Sequence, residues 1–364
     1  MIKAVSLFTG AGGMDTGFEN AGISVVMANE LASYACDTYE TNHRGVKLIR
    51  GDIVQHMDDF KQLRNIDLVF GGPPCQGFSV AGKMNPDDVR SQMIWRFLEV
   101  VEILQPKVFV MENVKALGKL EKWAPIRKKF LEQAFKMGYY CSYSILNSAD
   151  FGVSQKRERV IFVGSKREYA KTDLELAYRH YYKKAPTLRE VFLKLPPIGS
   201  RGNENTCTAR ITTAETPILR KSPYAGMLFN GMGRPLNLES LSTTLPASMG
   251  GNKTPIIDES VLRNPRAEDW VKKYHEGLLN GTIQPKLMLA PSQLRRMSIT
   301  EAALVQSFPY EYKFQGSKSS IYTQIGNAVP CKMAESVARA VIDVCFEEKT
   351  YKESENLSLQ LSFI

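Results

Sequence analysis

The sequence predicts an α/β protein built on a doubly wound, mostly parallel sheet, with a second, smaller and irregular domain. Within residues 1–165, short apolar runs alternate with longer amphipathic stretches, which is typical of strands joined by crossover helices. The first and third runs each lead directly into a glycine-rich turn. Residues 180–290 lose the alternation and contain 10 of the 18 prolines, which indicates a small domain with few long helices.

The predicted strands are the apolar runs at 4–8, 23–27, 66–70, 108–111 and 160–163. Residues 94–104, 126–137 and 334–346 carry apolar side chains at helical spacing and are predicted helices. An open sheet of this kind binds ligands outside the carboxyl ends of its strands. The residues that follow each strand are therefore the first candidates for a functional site.

The composition is that of an ordinary globular protein, with 43% hydrophobic and 23% charged residues. No apolar run approaches the roughly 20 residues of a membrane span, and no targeting segment precedes the first strand. None of the six cysteines forms a C-x-x-C pair, and there are only four histidines, so no metal site is expected. We expect free thiols in a reducing cytoplasm.

The formal net charge is +9, and its distribution along the chain is uneven. Residues 180–290 hold 15 Lys and Arg against 9 Asp and Glu, which is two-thirds of the excess in under a third of the chain. A concentrated basic excess favours a polyanionic partner such as a nucleic acid.

A glycine-rich segment, FTGAGGMDTG at 8–17, follows the first strand and opens a helix. Its glycines let a ligand approach the backbone, and the helix N-terminus favours a carboxylate or phosphate. Glu30 ends the second strand, where an acidic side chain commonly holds ribose hydroxyls. Asp52 comes next and could read an adenine amino group. The set suits NAD, FAD or S-adenosylmethionine (SAM), although Glu30 and Asp52 taken singly are typical of helix caps or turns.

Three further segments carry reactive or charged side chains. Cys75 lies in GGPPCQGFS, where a sharp and stiffened turn would present its thiol after a strand. A buried structural cysteine is the alternative. Glu112 ends the fourth predicted strand and would pair an acid with that thiol. Arg157 and Arg159 alternate in an extended segment, so both would face a phosphate or a base carbonyl, unless they belong to a solvated charge run.

Together these segments resemble the cytosine-5 DNA methyltransferase family, in the family's own order. The segment FTGAGGMDTGF is followed by Glu30, GGPPCQGFS, ENV at 112–114, QKRER at 155–159, LRRMSITEAALVQSFP at 294–309 and QIGNAVP at 324–330. The resemblance covers residues 1–165 and about 290–346, and the PPCQ, ENV and QxRxR trio is highly specific. A chain that starts almost at the first motif is similar to prokaryotic or phage modification enzymes.

The resemblance implies a catalytic role for four residues. Cys75 is expected to add to C6 of cytosine, and Glu112 to engage N3 and the exocyclic amine. Arg157 and Arg159 would form a basic pair near the cysteine and the cytosine O2, with Arg159 assigned to O2. The base must leave the duplex to be reached, so base flipping is expected.

The resemblance also implies SAM as the methyl donor, with no metal. Glu30 would hold the ribose and Asp52 the adenine amine, while Ile53 would pack on the adenine ring. Met93 stands where the family usually has Leu beside the cofactor. The expected cofactor-binding residues are Phe8, Gly10, Gly12, Glu30, Asp52, Ile53, Met93, Asn327 and Ala328.

Duplex DNA is the implied partner of a target-recognition domain at 181–290. A catalytic SAM-binding domain at 1–180 would be completed by a return segment at 291–346, followed by a polar tail at 347–364. The candidate DNA-binding residues are Gln76, Ser79, Arg210, Arg234, Thr244 and Lys253. The chain is expected to act as a monomer in the cytoplasm of a prokaryotic or phage-infected cell, and a cognate restriction endonuclease would act separately.

Three alternatives stay open at the level of the sequence. A cytosine methyltransferase that acts on tRNA shares these motifs, although the basic proline-rich insert favours duplex DNA. A non-catalytic DNA-binding protein could keep the fold, but the intact Cys75, Glu112, Arg157 and Arg159 argue against it. A dehydrogenase is the third, and its nicotinamide site would not require this order of Cys, Glu and Arg.

Overall fold

The computed structural model describes residues 1–74 and 92–351. They form two compact units, one of residues 1–152, 157–184 and the chain from 329 onward, the other of residues 153–156 and 185–328. The segment 291–328, which the sequence analysis assigns to the return segment, thus belongs to the second unit. Residues 352–364 of the predicted tail lie outside the described residues.

The strands of the described residues are, in chain order, β1 (Lys3–Leu7), β2 (Ser24–Glu30), β3 (Lys47–Arg50), β4 (Leu68–Gly71), β5 (Val108–Val114), β6 (Tyr140–Asn147), β7 (Gln155–Lys156), β8 (Glu158–Ser165), β9 (Thr213–Ile218), β10 (Met227–Phe229), β11 (Ser242–Thr243), β12 (Ile256–Asp258) and β13 (Leu294–Arg296). Seven of them form the sheet of the first unit, in the order β3-β2-β1-β4-β5-β8-β6. Strands β1 to β5 pair in parallel, and β8 runs antiparallel to both β5 and β6. The predicted doubly wound, mostly parallel sheet is confirmed.

The helices of the described residues are α1 (Gly13–Asn20), α2 (Ser33–Asn42), α3 (Met57–Lys61), α4 (Met93–Leu104), α5 (Lys115–Lys119), α6 (Ala124–Lys136), α7 (Lys171–His180), α8 (Leu188–Phe192), α9 (Glu259–Arg263), α10 (Trp270–Leu279), α11 (Ile299–Val305), α12 (Lys318–Asn327) and α13 (Cys331–Val341). A π-helical turn, Ile342–Phe346, continues α13. Among these helices, none combines the length and apolar character that a bilayer crossing needs.

Helices cover both faces of the seven-stranded sheet. One apolar layer contains side chains of α1, α7 and α13, and the other contains side chains of α3, α4 and α6. Within β4, Leu68 and Phe70 point into the first layer and Val69 into the second, as the two-residue period of a strand requires. Burial on both faces explains why the central strands are continuous apolar runs in the sequence.

The second unit is built from short pairings and short helices. β9 pairs with β10 and β12 with β13, both antiparallel, while β7 and β11 form a parallel two-residue pair. Its core gathers Leu228, Phe229, Ile256 and Tyr274. Because β13 pairs with β12, the chain stays in this unit beyond residue 290 and rejoins the first unit at Val329.

Candidate active site

The order of the strands places a crevice beyond β1 and β4. These strands are neighbours, but the sheet extends from β1 through β2 and β3 on one side and from β4 through β5 on the other. Such a reversal opens a crevice outside the carboxyl ends of the two strands, where open α/β sheets bind ligands. The glycine turn after β1, the segment 72–74 after β4 and the Glu112 position in β5 all lie at this edge.

The turn after β1 has an unusual backbone. Phe8, Gly10 and Gly12 have positive φ values of 56°, 57° and 82°, and Gly12 is the N-cap of α1. A Cβ added at Gly10 would meet no atom within 4 Å, so the space beside its backbone is open. The left-handed conformation explains why this position favours glycine, and the open space leaves room for a ligand beside the backbone.

Glu30, the last residue of β2, is fixed against this turn. Its Oε2 accepts a hydrogen bond from the Gly10 N–H at 2.8 Å, and its Oε1 accepts one from the Ala32 N–H at 2.8 Å. Burial raises the pKa of Glu30, while the backbone donors oppose that shift. Each carboxylate oxygen can still accept a further hydrogen bond from a ligand hydroxyl.

Asp52, Ile53 and Met93 differ in their surroundings. Asp52 is exposed after β3, and its Oδ1 accepts a hydrogen bond from the Val54 N–H at 3.0 Å. Ile53 is 2% exposed and packs in the same apolar layer as Ile49. Met93 begins α4 and is half-buried. Asp52 therefore caps a turn, as the simpler interpretation expects, and at the same time presents its carboxylate to solvent.

Glu112 is a buried carboxyl paired with an arginine. It is 8% exposed, and its Oε1 lies 2.8 Å from Nε of Arg159. Arg159 stands opposite Val114 in the ladder of β5 and β8, so the ion pair spans the two strands diagonally. Arg157 is 2% exposed, and its charge also acts on Glu112. Burial raises the pKa of Glu112, and the two arginines oppose that shift.

The turn after β4 packs directly against this carboxyl. A Cβ at Gly72 would lie 2.9 Å from Glu112 Oε2, so only glycine fits without displacing the acid. Cys75 follows three residues later in the sequence. Cys75, Gln76 and Ser79 lie outside the described residues.

Two asparagines that the sequence analysis did not single out hold the edge together. Asn29 Nδ2 donates to the carbonyls of Ile49 and Gly51, at 3.0 and 3.1 Å, and so ties the end of β2 to that of β3. Asn113 Nδ2 donates to the Pro73 carbonyl at 3.2 Å and ties β5 to the turn after β4. The signal was available, because each asparagine is the sequence neighbour of a predicted site acid at a strand end.

Exposed candidates for DNA contact occur in the second unit: Arg210, Arg234, Thr244 and Lys253. Arg296, which is 3% exposed, contacts the backbone close to two of them, Arg210 and Lys253. Its guanidinium donates to the carbonyls of Thr254 at 2.7 Å, Asn252 at 3.3 Å and Arg210 at 3.4 Å. Arg296 therefore fixes the backbone on both sides of Lys253, a role that its position in LRRMS did not reveal.

Two buried amides connect distant segments of the second unit. Gln155 Nε2 donates to Gln306 Oε1 at 2.9 Å, and Gln155 Oε1 accepts from the Leu245 N–H at 2.8 Å. Gln306 Nε2 donates to the Ile325 carbonyl at 2.6 Å. These bonds set the end of α12, where Asn327 is the last helical residue and Ala328 the C-cap. Both belong to the second unit, whereas the other cofactor candidates belong to the first.

In four cysteines of the first unit, burial disfavours the thiolate. Burial raises the pKa of Cys36 to about 11 and that of Cys345 to about 12, and it raises the pKa of Cys141 and Cys331 as well. Such thiols are protonated and poorly nucleophilic at neutral pH. Across residues 1–74 and 92–351, no three His, Cys, Asp or Glu side chains are grouped so that they could hold a metal ion.

Known proteins resemble this chain over most of its length. The family model described as C-5 cytosine-specific DNA methylase matches residues 2–343. Type II methyltransferase M1.HphI of Haemophilus parahaemolyticus is 31% identical over 352 residues, which cover 94% of this chain and 87% of the relative. Type II methyltransferase M.FnuDI of Fusobacterium nucleatum is 29% identical over 358 residues, with 97% of each chain covered.

A solved structure shares the fold. The S. pombe Dnmt2 methyltransferase superimposes with a TM-score of 0.66 at 18% identity, over 95% of this chain and 99% of that one. The sheet order and the match of the family model to residues 2–343 lead to one conclusion. The chain belongs to the C-5 cytosine-specific DNA methylases and is a DNA (cytosine-5)-methyltransferase.

Proposed function

We propose that the crevice beyond β1 and β4 receives SAM and a cytosine flipped out of duplex DNA, and that Cys75, Glu112, Arg157 and Arg159 act on the base. One observation carries the proposal. A buried carboxyl, paired with Arg159 at 2.8 Å, touches the backbone three residues before Cys75 in the sequence. An acid and a thiol at one strand edge are what an addition to a protonatable ring requires.

The glycine turn fits the cofactor. SAM would supply an electrophilic methyl group. The open space beside Gly10 suits its methionine part, the fixed Glu30 carboxylate suits ribose hydroxyls, and the exposed Asp52 suits an adenine amine. The proposed set is completed by Phe8, Gly12, Ile53, Met93, Asn327 and Ala328.

In the proposed mechanism, Cys75 activates a ring carbon that is otherwise a poor nucleophile. The thiolate electron pair forms a bond to C6, and the C5–C6 electrons move so that C5 gains enamine character. C5 would then form its bond to the methyl group as the methyl–sulfur bond of SAM breaks and the sulfur keeps that electron pair. Loss of the C5 proton to solvent restores the C5–C6 double bond and expels the Cys75 thiolate, so the cysteine is regenerated.

Glu112 would control charge during the addition. Because burial raises its pKa, its carboxyl takes up a proton more readily than an exposed one, and it can share that proton with N3 as the thiolate adds. The carboxylate left behind lies 2.8 Å from Arg159, which stabilises the negative charge. Arg159 would also donate to the cytosine O2, with Arg157 adding to the positive potential at this site.

The second unit would read the DNA sequence. Its exposed Arg210, Arg234, Thr244 and Lys253 are proposed contacts, with Gln76 and Ser79 from the catalytic turn. The relatives named above are type II methyltransferases, so we propose that this chain modifies one short sequence within a restriction–modification system. We propose that it acts as a monomer, in the reducing cytoplasm of a prokaryotic or phage-infected cell.

The test is methylation of a mixed-sequence plasmid with SAM, read by bisulfite-type sequencing. We expect 5-methylcytosine within a single short motif. The Cys75→Ser variant should lose turnover and keep the wild-type affinity for SAM, because a hydroxyl is a far weaker nucleophile than a thiolate. Cys141→Ser, which alters a thiol of high pKa, should methylate as the wild type does.

Two outcomes would contradict the proposal. Normal methylation by Cys75→Ser would exclude the covalent route. Methyl transfer to tRNA but not to duplex DNA would favour the RNA alternative over a DNA substrate.

A further inference from the structure

A buried carboxylate lies behind the glycine turn. Asp15, in the first turn of α1, is 0% exposed. Its Oδ2 accepts a hydrogen bond from Thr9 Oγ1 at 2.5 Å, and its Oδ1 accepts one from the Tyr39 hydroxyl at 2.9 Å. Thr9 belongs to the glycine turn and Tyr39 to α2, so Asp15 connects the turn to the neighbouring helix.

A histidine balances this carboxylate. His43, at the C-cap of α2, is 5% exposed, and its Nδ1 lies 2.8 Å from Glu19 Oε2. Its ring stacks on Tyr39 with 4.4 Å between centroids, and it hydrogen-bonds the backbone of Gly12. Burial lowers the pKa of His43, but Glu19, Asp15 and Gly12 together raise it above its ordinary value. Burial likewise raises the pKa of Asp15, and the attraction to His43 and the hydrogen bonds from Thr9 and Tyr39 oppose that shift.

Core stability alone does not explain this pair. Charged groups in a core are costly, and apolar side chains of similar volume are often at least as stabilising. Nor does Asp15 act as a simple helix cap, since its oxygens accept from Thr9 and Tyr39. What the pair does is fix both ends of the glycine turn, Thr9 through its hydroxyl and Gly12 through its backbone. The N–H of Gly10, between them, is held by Glu30.

We propose that Asp15 is a positioning residue for the methyl donor. Together with His43 it holds residues 9–12 in the shape that receives SAM, and it thereby sets the affinity for SAM without touching the reacting atoms. This inference rests on the proposed function, in which the same turn cradles SAM.

The experiment is a double-mutant cycle on Thr9 and Asp15, with the SAM dissociation constant measured calorimetrically on the full chain. Thr9→Val and Asp15→Ala should each weaken SAM binding about tenfold, because each removes a hydrogen bond to a charged group. The double variant should be no weaker than the worse single one, since both remove the same link. Thr9→Ser, which keeps the hydroxyl, should bind as the wild type does. At saturating SAM, kcat should change little.

Asp173→Ala is the matched control, because it removes a carboxylate from the first turn of α7 in the same unit. It should leave the affinity for SAM unchanged. A folded Asp15→Ala protein with wild-type affinity, or additive effects in the double variant, would overturn the inference. If Asp15→Ala does not fold, Thr9→Val decides, and wild-type SAM binding by that variant overturns the inference. Failure of the wild-type protein to bind SAM would instead refute the proposed function itself.

Discussion

Glu112 shows how much of the site depends on the immediate neighbours of a single residue. Its position at the edge of the sheet follows from the sequence, because it directly succeeds an apolar run of strand length. Its contact with Gly72 does not, since it depends on how closely the end of β4 approaches β5. The role of Asp15 could not be predicted from the sequence for a related reason. An acidic residue in the first turn of a helix is common because it interacts favourably with the helix dipole, so it does not indicate a special role.

Gly72→Ala should show whether the position of the Glu112 carboxyl matters for methylation, because it displaces the carboxyl without removing it. The added Cβ would lie 2.9 Å from Glu112 Oε2, so the carboxyl must shift away from its place beside Arg159. We expect kcat for methylation to fall about a hundredfold, with SAM affinity retained. Gly281→Ala adds the same atom where nothing lies within 4 Å; its φ of 76° strains the local backbone, but no site residue is displaced, so the folded variant should keep the wild-type kcat. Equal kcat values for the two variants would show that Glu112 tolerates displacement.

At the scale of elements, the sequence predicted the interior of the sheet better than its borders. The five predicted strands correspond to β1, β2, β4, β5 and β8, which are the inner strands of the sheet. β3 and β6 are the two edge strands, and both mix exposed with buried positions, so neither forms a continuous apolar run. Similarly, β13 has only three residues, two of them arginines, and its sequence carries no strand signal.

The contact between α1 and α2 should make stability depend on pH. His43 faces Asp15 and Glu19 from α1 and Tyr39 from its own helix, and its pKa is raised in the folded protein. Its stabilisation is therefore complete below about pH 6.5, where the unfolded chain also holds the proton. It is lost as the pH rises through the folded-state pKa.

We expect Tm to fall as the pH is raised above neutrality, and to fall less steeply in His43→Gln. Differential scanning calorimetry over a pH series measures both slopes. His180→Gln, which alters an exposed histidine, is the control and should show the wild-type slope. Identical slopes for His43→Gln and wild type would mean that His43 does not hold the proton more tightly in the folded state.

For the whole molecule, the uneven charge is the property that follows most directly from the sequence. The net charge of +9 is concentrated in residues 180–290, most of which belong to the second unit. The order of the motifs was sufficient to identify the family, because it joins segments that are far apart in the chain. The bounds of the two units were harder to derive, because they depend on the pairing of β12 with β13 rather than on composition.

The salt dependence of DNA affinity should therefore arise from a few basic residues that neutralise phosphates. Replacement of Arg210, Arg234 or Lys253 by Ala should lower the slope of log Kd against log salt concentration by about 0.9 for each phosphate that the side chain neutralises in the wild type. Lys128→Ala, on α6 of the first unit, should leave the slope unchanged. Fluorescence anisotropy with a labelled duplex measures the slope. If all three variants had slopes as steep as that of the wild type, Arg210, Arg234 and Lys253 would not neutralise DNA phosphates, and the DNA-binding surface would lie elsewhere.

The late return of α13 to the first unit has a consequence for protein synthesis. Met333, Ala334, Val337 and Val341 complete the apolar layer that also contains Phe18 of α1. A ribosome delivers these four residues only after the entire second unit has been translated. A nascent chain that stalls earlier lacks the side chains of α13 that pack against α1, the helix that follows the glycine turn. Translation therefore completes the core of the first unit only when the second unit, which we propose selects the DNA target, has already been made.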